Sequence, residues 1–369
     1  MKKRLSKNIE WSILVCTILL IIIGLIALFS ATQNTEYDEF KKQIIWVAIS
    51  IPFIIAFTLI DYETIAKISP VFYVVMIILL VGVLFTEPIN GATSWYSLGF
   101  ASIQPAEFTK IFVIMVLALV MSKMVAKGKK EISRPTRLLI LIAIFAVPVL
   151  LIIKQPDYGT ALAFFVAFIA MLFVAGIDKK YIIAGILIVA ITLPVMYFFV
   201  LPDHAKQRID VFLNQDLDPR GAGYNLTQSK LAIGAGQLFG MGLLRGNQTQ
   251  LGYLSPKTTD FIYSVIGEEM GFLVAAAIIV LYVVLITKAI YVAKTAKDNL
   301  GSYIAIGIAG IFLFHMTENI GMTIGLLPIT GVPLPFVSYG GSSLLCNLIM
   351  IALLLNISGR RQKAIFMEE

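Results

Sequence analysis

Glu107 and Lys110 stand inside an apolar stretch, in Gln104-Pro-Ala-Glu-Phe-Thr-Lys110. A charge there is costly, so such residues are functional candidates. Three positions apart on a helix, they share one face. Pro105 suits the first turn of that helix. The pair is either an internal lock between helices or part of a polar site. Asp260 follows Pro256-Lys-Thr-Thr and precedes the apolar run from Phe261. Thr258, Thr259 and Asp260 could each cap the next helix. A carboxylate at an apolar boundary is also well placed as a general base. Glu268 and Glu269, two turns further in, either line the same cavity or bond neighbouring helices.

A third candidate runs from Arg208 to Lys230 and contains Asp218-Pro-Arg-Gly-Ala-Gly-Tyr-Asn-Leu-Thr-Gln-Ser-Lys230. Glycines permit close backbone approach to a ligand, and Arg and Lys suit phosphate. His315, Glu318 and Asn319 are spaced i, i+3, i+4 and read as an interhelical hydrogen-bond cluster. They lack the further ligands a metal site needs, and His204 is uninformative. Pro328 to Ser343 carries three prolines and the step Gly340-Gly341-Ser342-Ser343. That step either opens a helix whose backbone N–H groups hold an anion or is a plain tight turn. The sequons at Asn225 and Asn247 are too short a pattern to use.

The elements that position these residues follow from composition. Of 369 residues, 59% are hydrophobic and 14% charged, against about 25% charged in soluble domains. Mean hydropathy is +0.89. A soluble fold and a disordered chain are both excluded. The apolar runs are continuous and do not alternate, which argues against a transmembrane β-barrel. The fold class is an all-α polytopic membrane protein, a single domain over 1–369. Apolar runs bounded by polar, Pro or Gly residues predict about ten spans: 10–30, 43–60, 69–86, 105–122, 137–153, 159–176, 180–201, 261–287, 302–326 and 337–357. The first is preceded by Lys2, Lys3, Arg4 and Lys7 but is too long for a signal peptide and lacks a cleavage site, so it reads as a retained helix. Cys16 and Cys346 lie in apolar runs and read as buried hydrophobes, with no disulfide framework.

Ten spans place both ends on one side. That side carries 19 Lys and Arg and the other 9, with Lys110 inside a span. The excess predicts cytoplasmic termini. Most of the basic charge is thereby topological, and no nucleic-acid partner is expected. One connection, 202–260, is a long extracytoplasmic segment. Its semi-apolar, Gly-rich part from Leu231 to Leu244 is too short to span and reads as a re-entrant or interfacial piece packed on the bundle.

Six motifs occur in order: Gln104-Pro-x-Glu-x-x-Lys110, Gln155-Pro-Asp-Tyr-Gly159, Gly223-Tyr-Asn-x-x-Gln-Ser, Thr259-Asp-Phe-Ile262, Gly267-Glu-Glu-x-Gly271 and Pro333-x-Pro-Phe-x-Ser-Tyr-Gly-Gly-Ser-Ser343. With them the chain resembles, over nearly its whole length, the SEDS family of bacterial peptidoglycan glycosyltransferases. His315-x-x-x-Asn-Ile-Gly-Met322 and Tyr224 to Gly236 make it more similar to the elongation (RodA) branch than to the division (FtsW) branch.

The resemblance implies polymerisation of lipid II, an undecaprenyl-pyrophosphoryl disaccharide-pentapeptide, on the outer face of the cell membrane. It also implies a class B penicillin-binding protein as partner, alongside membrane lipids. Asp260 matches the family's essential loop aspartate, and Glu107 and Lys110 match its polar pair. An α-linked donor giving a β-linked product needs one displacement and one base, for which Asp260 is the candidate. Lys110 and Arg208 are candidates to stabilise the leaving pyrophosphate. Lys230, Tyr224, Gln228, Ser338, Gly340, Gly341 and Ser342 are candidates for substrate binding. A divalent cation (Mg or Mn) bridging phosphate oxygens is a further expectation; no organic cofactor is expected. A lipid-linked precursor flippase and a non-catalytic scaffold are the rival readings. A flippase would spread its charges toward the cytoplasmic half, and a scaffold would not need a Gly-rich polar loop beside buried Glu and Lys.

Overall fold

The computed structural model describes residues 9–87, 93–97, 99, 102–199, 203–218 and 221–361. The basic residues Lys2, Lys3, Arg4, Lys7, Arg220 and Lys363 lie outside them. The chain is nearly all helix, as its composition requires. Among the described residues nine helices are long and apolar enough to cross a membrane: α1 (Trp11–Ala31), α2 (Asp38–Leu59), α3 (Tyr62–Val83), α4 (Pro105–Val125), α5 (Pro135–Lys154), α7 (Lys179–Phe199), α11 (Ile262–Thr295), α12 (Asn299–Thr323) and α13 (Gly341–Gly359). A tenth apolar helix, α6 (Tyr158–Val174), has 17 residues. These ten fall on the ten sequence-predicted spans. A two-residue antiparallel ladder, β1 (Tyr96–Ser97) with β2 (Ser102–Ile103), lies between α3 and α4; it has no counterpart in the sequence reading.

Helices α4, α12 and α13 form the interior, and α2, α3 and α5 are mostly exposed along their apolar faces. That inversion suits a lipid solvent, where apolar surface needs no cover and polar groups go inward. Both described ends of the chain meet at one end of the bundle. Glu10 pairs with Lys288 at 3.0 Å and Arg361 at 3.5 Å, and its N–H donates to the Ser358 hydroxyl at 3.2 Å.

The long segment after α7 is helical over much of its described residues. It holds α8 (Asp203–Leu213), α9 (Ala222–Ala235) and the one-turn helix α10 (Asn247–Gln250). The stretch Leu231 to Leu244 is the end of α9 and a turn that packs into a break in α11. Gly271 stands at φ +80° inside α11. The Phe272 and Leu273 N–H groups donate to the Gln237 and Leu238 carbonyls at 2.8 and 3.2 Å. The Glu268 and Glu269 carbonyls, which would have completed the helix, accept from Met241 and Gly242 at 2.9 and 3.0 Å. A broken helix is tolerable at such depth because another segment satisfies the freed groups.

The closeness of this packing explains the glycines. A Cβ on Gly236 would stand 1.8 Å from the Gly267 carbonyl oxygen, and one on Gly271 2.3 Å from the Gly240 nitrogen. The close approach foreseen toward a ligand at Gly221 and Gly223 is instead toward the protein's own Gln215 to Asp218. Gly271→Ala combines a positive φ with the overlap on Gly240, and is expected to cost at least about 2 kcal/mol. Thermal unfolding in detergent checks this; an unchanged midpoint would mean that α11 can straighten without loss.

Candidate functional site

Asp260 sits just before α11 and does not cap it. The N-cap position is Phe261, and no side chain caps the helix. The carboxylate is half-buried and faces a cavity of about 580 Å³. Burial pushes its carboxyl up from the usual carboxylate range, while a hydrogen bond from Thr259 and the Arg208 guanidinium pull it back. Arg208, on α8, and Tyr158, at the start of α6, belong to the same neighbourhood.

The backbone around Asp260 is bolted to the loop after α12. The Asn319 side-chain amide donates to the Asp260 and Val332 carbonyls at 3.0 and 2.8 Å. The Ser338 hydroxyl donates to the Thr259 carbonyl at 2.7 Å and accepts from the Leu334 N–H at 2.9 Å. The Tyr339 N–H donates to the Thr258 carbonyl at 2.9 Å. His315 Nδ1 lies 3.1 Å from the Pro333 carbonyl. A carbonyl only accepts, so Nδ1 carries the proton and Nε2 is left as an acceptor. Thr330 donates to Glu318 at 2.8 Å. The cluster foreseen on α12 is thus the clamp that holds both loops in register.

Lys110 faces that acceptor. Its ammonium lies 3.3 Å from His315 Nε2 and 2.7 Å from Glu107, with side-chain exposures of 0% for Lys110 and 2% for Glu107. Glu107 touches the cavity wall; Lys110 stands behind it and is not among the residues lining the cavity. In this arrangement Lys110 is paired with Glu107 and His315 and does not face the cavity directly.

Of the other expected site residues, Asp260, Arg208, Gly340 and Gly341 line the cavity. Ser338 acts from behind, as the staple just described. Ser342 is buried, and its hydroxyl accepts from the Gln104 N–H at 3.4 Å. Lys230, Tyr224 and Gln228 are not among the lining residues. They lie on α9, which turns its Gly223, Leu226, Ser229 and Ala232 face into the protein, where Ser229 bonds Ser264 and the Thr323 carbonyl, each at 2.7 Å. Glu268 accepts from the Gln248 and Thr249 N–H groups and the Thr249 hydroxyl at 2.6–3.0 Å. Glu269 accepts from Gly246 and Gln250. Both glutamates hold α10 and are spent structurally.

Residues that sequence reasoning did not place at the site complete the wall. Asp157 accepts from the Thr160 N–H at 3.1 Å and the Gln104 side-chain amide at 2.7 Å, and burial pushes its carboxyl up. Its position at the head of an apolar run, inside the Gln155-Pro-Asp motif, was the available signal. Glu39, Lys42 and Trp46 come from the polar head of α2. Their i, i+3, i+7 spacing puts them on one helix face.

Among the described residues no three His, Cys, Asp or Glu side chains come together closely enough to hold a metal ion. Glu107 is paired with Lys110 and Asp157 is used as a cap. The donor set does not fit a resident cation.

If Asp260 is the base, the pH dependence follows from it. A base works ionised, so activity should rise through a carboxyl raised above the ordinary range. Arg208 holds that carboxyl down, so Arg208→Gln should move the acid limb of the rate profile to higher pH. A profile unmoved on the pH axis would mean that Asp260 is not the titrating base.

The family model described as a cell cycle protein (FtsW, RodA and SpoVE) matches residues 10–363. The peptidoglycan glycosyltransferase MrdB of Escherichia coli is 32% identical over 96% of this chain and 95% of its own. The peptidoglycan glycosyltransferase RodA of Treponema pallidum is 30% identical over 98% of this chain and 100% of its own. A solved chain from a peptidoglycan synthase complex that coordinates polymerization and crosslinking superposes with a TM-score of 0.82 at 24% identity, covering 95% of this chain and 97% of that one.

Proposed function

This chain belongs to the FtsW/RodA/SpoVE (SEDS) family and is a RodA-like peptidoglycan glycosyltransferase of the membrane, and we propose that it polymerises lipid II in the cavity at Asp260. The observation that carries this reading is a carboxylate free of capping duty, half-buried beside Arg208 in a polar cavity at the head of a membrane helix.

The acceptor hydroxyl oxygen attacks the anomeric carbon of the donor from the face opposite its pyrophosphate. The new C–O bond forms as the bond to pyrophosphate breaks, and the α-linked donor becomes a β-linked product. Asp260 takes the hydroxyl proton. Pyrophosphate leaves without a general acid, and Arg208 meets its developing charge. Any cation would travel with the pyrophosphate, and no step here depends on one. Glu107 and Lys110 shape the wall, with His315 and Asn319 fixing the loops on either side of the base.

The 19 to 9 basic asymmetry supports cytoplasmic termini and an outward-facing cavity. Lys42 and Arg208, two of the nine, line the cavity, and Glu10 and Arg361 do not. The partner we propose is a class B penicillin-binding protein of the elongation type, which crosslinks the strands as they form. Gel analysis of polymer made from lipid II by purified protein, with elongation-type and division-type partners, tests this reading. Polymer that increases with the elongation-type partner supports it. No polymer under any condition, with lipid II moved across vesicles instead, would replace it by the flippase.

A further inference from the structure

Two cationic side chains, Lys42 and Arg208, line the cavity, and the mechanism above uses one. Arg208 lies near Asp260 and Tyr158. Lys42 lies instead near Tyr339 and Glu39, and Glu39 and Thr258 line the same cavity. Lys42 is on the first turns of α2, and that part of α2 is built into the site. Buried Gln43 donates to the Ser338 carbonyl at 3.1 Å and accepts from the Gly340 N–H at 3.3 Å. One turn on, Trp46 lies so close over Gly341 that a Cβ there would stand 2.0 Å from the indole nitrogen. Beyond this polar head α2 exposes Ile44, Ile45, Ile49 and Ile51, a surface for lipid. A ligand with a phosphate at Lys42 thus has the bilayer alongside for an apolar tail.

The chemistry says which ligand belongs at which end. In the displacement the donor's pyrophosphate is bonded to the reacting carbon, so it must lie near the base. The acceptor reacts through a hydroxyl of its distal sugar, so its own pyrophosphate lies a disaccharide away. We propose that the Lys42 wing seats the acceptor glycolipid: Lys42 holds its pyrophosphate and Trp46 packs against its sugar, while Arg208 holds the donor's pyrophosphate. This assignment rests on the glycosyltransferase reading. Lys42 is available for it. Its bond to Asp38, 2.6 Å, is between exposed side chains, and an exposed pair of this kind contributes little. A pyrophosphate, with one charge on each phosphate, offers a stronger, doubly charged partner.

The test separates the two roles of lipid II. Lipid II whose acceptor hydroxyl is capped by an extra sugar serves only as donor. With the capped form saturating and ordinary lipid II varied, the yield of capped glycan reads the acceptor. With the concentrations reversed it reads the donor. Lys42→Ala is expected to raise the half-saturating acceptor concentration at least about tenfold, the scale of one lost charged hydrogen bond. The donor value should stay within about twofold, and Lys42→Arg should restore most of the acceptor affinity. Asp38→Ala, which frees Lys42 without removing it, should lower the acceptor value. Arg208→Ala should slow turnover and raise the donor value instead. A Lys42→Ala effect on the donor alone, equal effects on both, or no effect would overturn the assignment. Wild-type protein that makes no glycan at all would overturn the glycosyltransferase reading itself, a separate outcome.

Discussion

Asp260→Asn should yield a folded protein that still binds lipid II and its penicillin-binding partner but polymerises ~10²–10⁴-fold more slowly, the scale of a lost general base. Asn keeps the shape of the side chain and removes only its basicity. The fold should not notice, because the Asp260 carboxylate caps nothing and the residue is held through its backbone carbonyl by Asn319. Burial and Arg208 act on the carboxyl in opposite directions. A base held too acidic would accept a proton poorly, and one held too high would be protonated at working pH. Asp260→Glu should recover little, since moving the carboxylate by about an ångström is enough to cost ~10²-fold. Polymer yield and length from lipid II, set beside a lipid II binding titration, decide the matter. An Asn variant near the wild-type rate would shift the search to Glu39, Glu107 or Asp157, the other carboxylates on the wall. Glu268 is not a substitute, because α10 occupies both of its oxygens.

How much of this was legible in the sequence depended on whether the signal was local. The ten helices were, because each is a continuous apolar run and the bilayer sets its length. Asp260 and Glu107 were, because a charge at an apolar boundary stands out on its own. The α12 cluster was legible as a hydrogen-bonding face, though its partners, the carbonyls of Asp260, Val332 and Pro333, were not. The glycines between Gly221 and Gly246 misled for a physical reason. Close backbone approach looks the same in sequence whether the thing approached is a phosphate or a helix. Here Gly221 and Gly223 close on residues 215–218, Gly236 and Gly240 close on the break at Gly271, and Tyr224, Gln228 and Lys230 are not among the residues lining the cavity. The Lys42 wing was missed because Lys42 looked like an ordinary topological charge. Only the packing of Gln43 against 338–340 turns that end of α2 into cavity wall.

Lys110 shows the same limit at the level of one side chain, and its removal should have the largest effect on stability. Its ammonium is fully buried between Glu107 and His315. Lys110→Ala strands the Glu107 carboxylate without its cation, and breaking a buried pair from one side costs about 3–5 kcal/mol. Glu107→Ala strands the ammonium and should cost a similar amount. The paired replacement Glu107→Gln with Lys110→Met removes both charges at nearly constant volume, and should recover much of the lost thermal stability. Activity should then track how well the wall is restored: poor in each single variant, and higher in the double variant per folded molecule. The measurement is a thermal unfolding midpoint for each variant beside its polymerisation rate. A Lys110→Ala protein that melts like wild type and yet makes no polymer would mean that the ammonium swings out to the pyrophosphate during turnover. The pair would then be a catalytic device and not a strut, and the His315 contact would be the resting position from which Lys110 moves.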